Sequence, residues 1–233
     1  MSRKNLIVSA WMEEPIRVSI MPVLILIALF GIMGCGEESP TGGGEIEPIT
    51  TGFPNPGTYR NVEHGFQISN LPVSGCVKDT RKHKDGDIEM VLRMAFATED
   101  EFAFEDVDIA KEVPRLQTEG IPYAFVYVIG PIPDLPTKPD LAKEIMYDVI
   151  STYELWYEVL SRRPVAGVNT TGYEVTMSFS SMYAPGTTWM IKQAFFAKHE
   201  MGYTIIFCAP EDKFLGLLAY IDPMIAGFQL LGL

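Results

Sequence analysis

Apolar positions along the chain fall into three kinds of pattern: one short continuous run near the N-terminus, several runs of period two, and two stripes of helical period. The clearest alternation lies in Ile88–Phe96, and its period of two predicts a sheet strand. Pro122–Ile129 is more densely apolar and predicts a central strand buried on both faces. Further strands are predicted over Phe66–Ser69, Tyr173–Met182, Thr188–Lys198 and Tyr203–Cys208. Gly186 and Gly202 mark turns between the last three strands, which predicts an antiparallel meander.

Two stripes of apolar residues at intervals of three or four predict helices on either side of this meander. The first helix begins near Pro139, a residue suited to the first helical position, and ends at Arg162-Arg163-Pro164. Its stripe consists of Leu141, Ile145, Val149, Tyr153, Trp156 and Leu160. The second begins near Pro210 with Glu211 and Asp212 at its positive end, and Pro223 is expected to kink or divide it. Its stripe consists of Phe214, Leu217, Ile221, Ile225 and Phe228. We interpret both stripes as core.

The continuous apolar run, Val23–Met33, is followed directly by Gly34 and Cys35. It has roughly half of the 20 residues that a bilayer-spanning helix needs, and basic residues precede it, as in a secretory signal. Ile32-Met33-Gly34-Cys35 is typical of a bacterial lipobox, which makes Cys35 the predicted lipidated first residue of the mature chain. A secretory signal cleaved elsewhere and a short anchoring helix are the alternatives.

Three regions are therefore predicted: a signal peptide over 1–34, a lipidated cysteine with a flexible tether over 35–57, and one folded domain over 58–233. The tether is rich in Gly and Pro and nearly lacks large apolar residues, so it cannot offset its chain entropy by burial. We expect a protein of the bacterial cell envelope, held by its lipid and facing the periplasm or the exterior. Because Glu37 stands where Asp would signal inner-membrane retention, the outer membrane is favoured if the cell has one.

The charge of the mature chain bears on its partners. Removal of the signal takes away three of 18 basic and two of 30 acidic residues, which leaves 15 and 28 and a formal charge of −13. Such a chain repels nucleic acid, so no nucleic-acid partner is expected. The expected partners are the membrane, through the lipid anchor, and an envelope protein.

Cys76 and Cys208 are the two cysteines that remain after Cys35. In an oxidising envelope they form a candidate disulfide. The alternative is two separate buried thiols that act as small apolar groups. Neither belongs to a Cys-x-x-Cys pair, which argues against redox catalysis.

Candidate chemistry in the rest of the chain is sparse. The histidines, His64, His83 and His199, lie far apart without closely spaced ligand partners, so we expect surface histidines, no zinc site and no cofactor. Six carboxylates lie within ten residues: Glu99, Asp100, Glu101, Glu105, Asp106 and Asp108. We interpret this acidic segment as a solvated loop, and the alternative is a divalent-cation or small-ligand site. No nucleophile with its base can be named, so no catalytic residue is assigned and an enzyme is not expected.

The Pro-rich loop 131–136 connects the central strand to the first helix and carries Ile132 and Leu135. Apolar residues on a long loop suit recognition of a partner, because a rigid scaffold presents them. Covering the end of the sheet is the equal alternative.

Two stretches resemble the PsbP-like domains, including the DcrB-like lipoproteins. One is the opening, Tyr59-Arg60-Asn61, Gly65-Phe66-Gln67-Ile68 and Leu71-Pro72, and the other is the end, Gly202–Ile206 followed by Ile225–Phe228. The resemblance covers about Tyr59–Leu231. It implies an α+β fold with a central antiparallel sheet flanked by helices, an α/β/α sandwich. It also implies a non-enzymatic role in binding or assembly, with no catalytic residue to carry over.

Overall fold

The computed structural model describes residues 51–130, 157–198 and 200–232, together with Lys143. Its strands are β1 (Gly52–Asn55), β2 (Thr58–Asn61), β3 (Phe66–Ile68), β4 (Val77–Asp79), β5 (His83–Asp85), β6 (Ile88–Ala95), β7 (Tyr123–Ile129), β8 (Glu158–Ala166), β9 (Thr171–Ser180), β10 (Thr188–Lys198), β11 (Met201–Pro210) and β12 (Phe228–Leu230). The helices with described bounds are α1 (Ile109–Thr118) and α2 (Glu211–Ala226). Cys35, Ile132 and Leu135 lie outside the described residues, as does the predicted helix up to residue 156 apart from Lys143.

A large antiparallel sheet organises this part of the chain, with strand order β4-β6-β7-β11-β10-β9-β8 and β5 paired to β6. The predicted meander is confirmed, because β9, β10 and β11 are consecutive antiparallel neighbours. β7 is the predicted central strand, and all seven of its residues are buried. A second, four-stranded sheet has the order β1-β2-β3-β12.

Alternate residues of β7 contribute to two cores on opposite faces of the large sheet. Tyr123, Phe125 and Tyr127 belong to the α1 core, which includes Ile109, Val113 and Leu116 of α1. Ala124, Val126 and Val128 belong to the α2 core, which includes Phe214, Ile221, Met224 and Ile225 of α2 and Tyr59, Phe66 and Ile68 of the small sheet. Because apolar cover lies on both faces, the strand has no polar side, as its sequence predicts.

Local sequence explains both helices. Asp108 precedes α1, and its Oδ1 accepts a hydrogen bond of 2.9 Å from the amide of Ala110, a regular N-cap. α2 starts with Glu211 and Asp212, which complement the positive end of the helix. It continues through Pro223 to Ala226, so the proline does not divide it.

Three expectations need correction. The predicted helix ends at Arg162-Arg163-Pro164, but strand β8 (Glu158–Ala166) occupies this part of the chain and pairs with β9 along its length. Its side chains are mostly exposed, so the three- and four-residue spacing up to Leu160 does not mark a buried stripe there.

Gly202 lies inside β11 rather than in a turn. The described chain is also richer in sheet than a helix-flanked sandwich, because the small sheet shares one face of the large sheet with α2.

Among the described helices, none has the length and apolar content to cross a bilayer.

Candidate functional site

The acidic segment is used largely for local structure. Glu105 pairs with Arg115 at 2.6 Å, and Asp106 pairs with Lys111 at 2.7 Å. Asp108 caps α1, and Glu101 accepts hydrogen bonds from the amide and hydroxyl of Thr98. These carboxylates therefore face different partners instead of converging on one point.

The beginning of the acidic segment also lines a shallow cleft of about 400 Å³ beside β4. Its lining consists of Val77, Lys78, Asp79, Glu99 and Phe102–Phe104. The cleft combines two aromatic rings with charges of both signs, so it offers a small molecule apolar contact and an ionic partner.

A buried arginine, Arg93, contacts Asp79 and Phe104, two residues that line this cleft. The guanidinium of Arg93 is fully buried, pairs with Asp79, donates to the carbonyl of Asp106 and stacks 4.5 Å from the ring centroid of Phe104. Burial alone would raise the pKa of Asp79, but hydrogen bonds from Arg81 and Arg93 outweigh it and hold that pKa below its ordinary value. The positive charge of Arg93 is therefore paired inside the fold, and its side chain packs against Phe104.

The one group of three or more potential metal ligands among the described residues lies elsewhere, at Glu63, His64 and Glu89. One ligand atom from each side chain lies within 4.8 Å of the others. His64 Nε2 is 3.3 Å from Glu89 Oε2, and Lys82 Nζ is 3.0 Å from Glu89 Oε1 and also pairs with Glu63. We call Glu63, His64, Lys82 and Glu89 the Glu–His–Lys cluster.

The backbone at His64 is held firmly from several directions. Asn61, which is fully buried, accepts a hydrogen bond of 2.9 Å from the His64 amide. The hydroxyl of Tyr203 donates to the His64 carbonyl at 2.9 Å, and the amide of Leu231 donates to the Gly65 carbonyl at 2.7 Å. Gly65 adopts a φ of 66°, which suits glycine in this tight turn between β2 and β3. The turn therefore presents Glu63 and His64 in a fixed position.

Glu89 comes from β6, on the face of the large sheet that the small sheet covers. Its side chain is 12% exposed, and that of His64 is 15% exposed. The expectation that His64 is a surface histidine is therefore wrong. Glu89 is a polar position of the alternating pattern in Ile88–Phe96, but nothing in the sequence connects it to His64, 25 residues earlier.

Electrostatics bind this cluster together. The hydrogen bond from Lys82 lowers the pKa of Glu63. For Lys82, burial acts to lower the pKa, but the hydrogen bonds to Glu63 and Glu89 outweigh it, and the pKa is raised. Two carboxylates thus contact one lysine ammonium group.

The structure does not join Cys76 and Cys208. Both are free thiols: Cys208 is buried in the α1 core, and Cys76 packs against the α2 core on the opposite face of the sheet. The candidate disulfide is therefore absent from this fold, which corresponds to the alternative of two separate thiols. Burial raises the pKa of Cys76 to about 11 and that of Cys208 to about 12.

The chain matches no protein-family profile and no curated protein sequence. Among solved structures it is similar to cyanobacterial PsbP from Synechocystis sp. PCC 6803, with 13% identity, a TM-score of 0.42, and coverage of 82% of this chain and 98% of that one. LpqN, a protein involved in cell envelope biogenesis of Mycobacterium tuberculosis, has 8% identity, a TM-score of 0.40 and coverage of 67% and 84%. The Ran-binding protein Mog1p of Saccharomyces cerevisiae has 15% identity, a TM-score of 0.43 and coverage of 74% and 94%.

The described part of this chain is mostly antiparallel sheet with two helices. At such scores and identities the likeness carries no inference about site or activity.

Proposed function

We propose that this protein is a lipid-anchored component of the bacterial cell envelope that acts by binding or assembling envelope proteins and not by catalysis. The observation that carries the proposal is the apolar run Val23–Met33 that ends in Gly34-Cys35, followed by a tether rich in Gly and Pro. The finer assignment to a PsbP-like lipoprotein belongs to the same proposal and rests on the quoted opening and closing residues.

The folded part supports a scaffold role. Its buried charges are paired internally: Arg93 with Asp79, and Lys192 with Glu174 and Asp222 at 3.2 and 2.6 Å. Buried ions of this kind fix neighbouring elements, here α2 against the large sheet, in one arrangement. A domain fixed by internal ion pairs and held by the proposed lipid anchor suits a protein that binds a partner near a membrane.

Anchoring is tested by metabolic labelling with an alkyne fatty acid in a bacterial host that processes lipoproteins. The wild type should incorporate label and sediment with membranes, and Cys35→Ser should do neither. Cys76→Ser is the matched control, since Cys76 lies inside the fold and should leave labelling unchanged. Label retained in Cys35→Ser would remove the basis of the proposal.

Binding is tested at Ile132 and Leu135, the proposed partner-contacting residues. A photo-crosslinking amino acid at either position should give a discrete envelope-protein adduct in intact cells. The control is the same probe at Val168, which is 61% exposed in the described part of the chain. Equal adducts at Val168, or none at 132 and 135, would count against this surface.

A small-ligand module at the acidic segment is a second candidate, favoured by the cleft beside β4. Glu99 and Lys78 are its charged walls, and Phe102 and Phe104 are its apolar surface. A fragment screen by thermal shift should give hits that Glu99→Ala and Lys78→Ala weaken and that Asp85→Ala, at an exposed position in β5, leaves unchanged. Hits that are indifferent to all three substitutions would exclude this cleft.

A further inference from the structure

We propose that Glu63, His64 and Glu89 form a binding site for one divalent transition-metal ion of the zinc class, and that Lys82 competes with this ion for the same carboxylates. This inference goes beyond the proposed function, and it does not depend on lipidation of Cys35. It arises from the arrangement of four side chains that are dispersed between residues 63 and 89 of the sequence.

The donor set suits a transition metal. It comprises one imidazole nitrogen and two carboxylate oxygens, whereas calcium and magnesium select oxygen donors alone. Three protein ligands leave at least one coordination position open for water or an external group. The predicted class of ion is therefore zinc, or a metal with similar ligand preferences.

The geometry is close to what an ion requires. The three ligand atoms lie within 4.8 Å of one another. A tetrahedral zinc ion with bonds of about 2.0–2.2 Å needs ligand atoms roughly 3.3–3.6 Å apart. Movement of about 1 Å closes the gap, and rotation of the Glu63 side chain supplies much of it, because that side chain is 58% exposed.

The histidine has a free coordinating atom. His64 Nε2 is shielded from solvent and makes no hydrogen bond, although Glu89 Oε2 lies 3.3 Å away. A buried polar atom without a hydrogen bond costs free energy, and a metal bond would satisfy it. The backbone of this residue is fixed by Asn61 and Tyr203, so the ring needs little reorganisation to bind.

A cation is already held by the two carboxylates. Lys82 Nζ pairs with Glu63 and lies 3.0 Å from Glu89 Oε1. Its side chain is 41% exposed, so it can withdraw into solvent when a divalent ion binds. A metal ion must therefore displace the Lys82 ammonium group from both carboxylates. This competition lowers the apparent affinity of the site for the metal.

The site also has a structural consequence. Glu63 and His64 belong to the turn after β2, in the small sheet, and Glu89 belongs to β6, in the large sheet. Lys82 now connects the two sheets through ion pairs with Glu63 and Glu89. A bound metal ion would replace these ion pairs with coordinate bonds.

The test is calorimetric titration of the detergent-solubilised full chain with zinc chloride, for the wild type and three variants. The wild type should bind one ion, and His64→Gln should weaken binding at least tenfold. Lys82→Met should tighten binding by roughly tenfold, because a competing positive charge is removed. His83→Gln is the matched control and should leave the affinity unchanged, since His83 lies in neighbouring β5 outside the ligand group.

Lys82→Met keeps the test valid if His64→Gln folds poorly, because misfolding cannot produce tighter binding. Near-ultraviolet circular dichroism of each variant checks the fold directly. Wild-type affinity in His64→Gln, equal or weaker binding in Lys82→Met, or no binding by the wild type would each overturn the proposal.

Discussion

Asp79 and Arg93 lie directly opposite each other on β4 and β6, and the Asp79 carboxylate pairs with a guanidinium that has no exposed surface. The pair joins the edge of the large sheet to the acidic segment, because Arg93 also donates to the carbonyl of Asp106 and stacks on Phe104. One cross-strand pair thereby holds in place Asp79 and Phe104, two residues that line the cleft beside β4.

Asp79→Asn should lower the free energy of unfolding by about 3 kcal/mol. Loss of one partner of a buried ion pair costs roughly 3–5 kcal/mol, and we expect the lower end because Arg93 retains the Asp106 carbonyl and the Phe104 ring. Equilibrium urea denaturation measures the change. Asp85→Asn, at an exposed position in neighbouring β5, should change stability by less than about 0.5 kcal/mol. A similar loss in both variants would contradict the role given to Arg93.

Acid should destabilise the protein in a defined window. The pKa of Asp79 lies below its ordinary value of 3.8. The pKa of Asp106 is lowered to about 2, mainly by the hydrogen bond from Lys111. A depressed carboxyl pKa stabilises the fold above the unfolded value and ceases to do so as pH falls through the folded value. Stability should therefore decline between about pH 4 and pH 2. In Asp79→Asn the decline, followed by denaturation midpoints across this range, should be shallower than in the wild type.

Gly172→Ala should be strongly destabilising. A Cβ at this position would lie 2.0 Å from the carbonyl oxygen of Phe195 and 2.8 Å from Phe196 Cδ1, so β9 and β10 would have to separate. We expect a loss of about 3 kcal/mol, at the upper end for overpacking. Gly216→Ala is the control, because its Cβ meets nothing within 4 Å in α2, and it should raise stability by roughly 0.5–1 kcal/mol. Thermal melts of the two variants should shift in opposite directions.

Both thiols of the fold should resist alkylation at pH 8. Their pKa values of about 11 and 12 leave almost no thiolate at that pH, and Cys208 is also buried. In guanidinium chloride, the mature lipidated protein should release two reactive thiols, from Cys76 and Cys208, because Cys35 would be blocked by its lipid. A count of zero without reductant would indicate a disulfide, and a count of three would indicate that Cys35 is free.

The elements best predicted from the sequence are strands whose apolar residues repeat along one face or both faces. Thr188–Lys198 matches β10 at both ends, and β6, β7 and β11 begin and end within two residues of their predicted limits. The apolar side chains that bury such a strand lie within the strand itself, so a short window of sequence is enough to predict it.

The missed strands are too short to show a pattern of their own. β4, β5 and β12 have only three residues each and exist because β6 and β3 provide hydrogen-bonding edges. The sequence does contain a local signal for helix α1: Asp108 is a regular N-cap, and Ile109, Val113 and Leu116 form a buried stripe. The adjacent acidic residues favoured a solvated loop instead, so the helix was not predicted. The Glu–His–Lys cluster is formed by a turn, a loop and a strand, and spacing in the sequence could not reveal it.

The small sheet has a consequence for the timing of folding. Its inner strand β3 pairs on one side with β2 and on the other with β12, and the register couples Ile68 to Phe228, about 160 residues later. Closing so long a loop is slow, because chain entropy must be lost before the contacts form. During synthesis β3 therefore lacks one of its two neighbours until residues 228–230 have been made. Until β12 arrives, the open edge of β3 can pair with another chain, so the new protein needs protection from premature association.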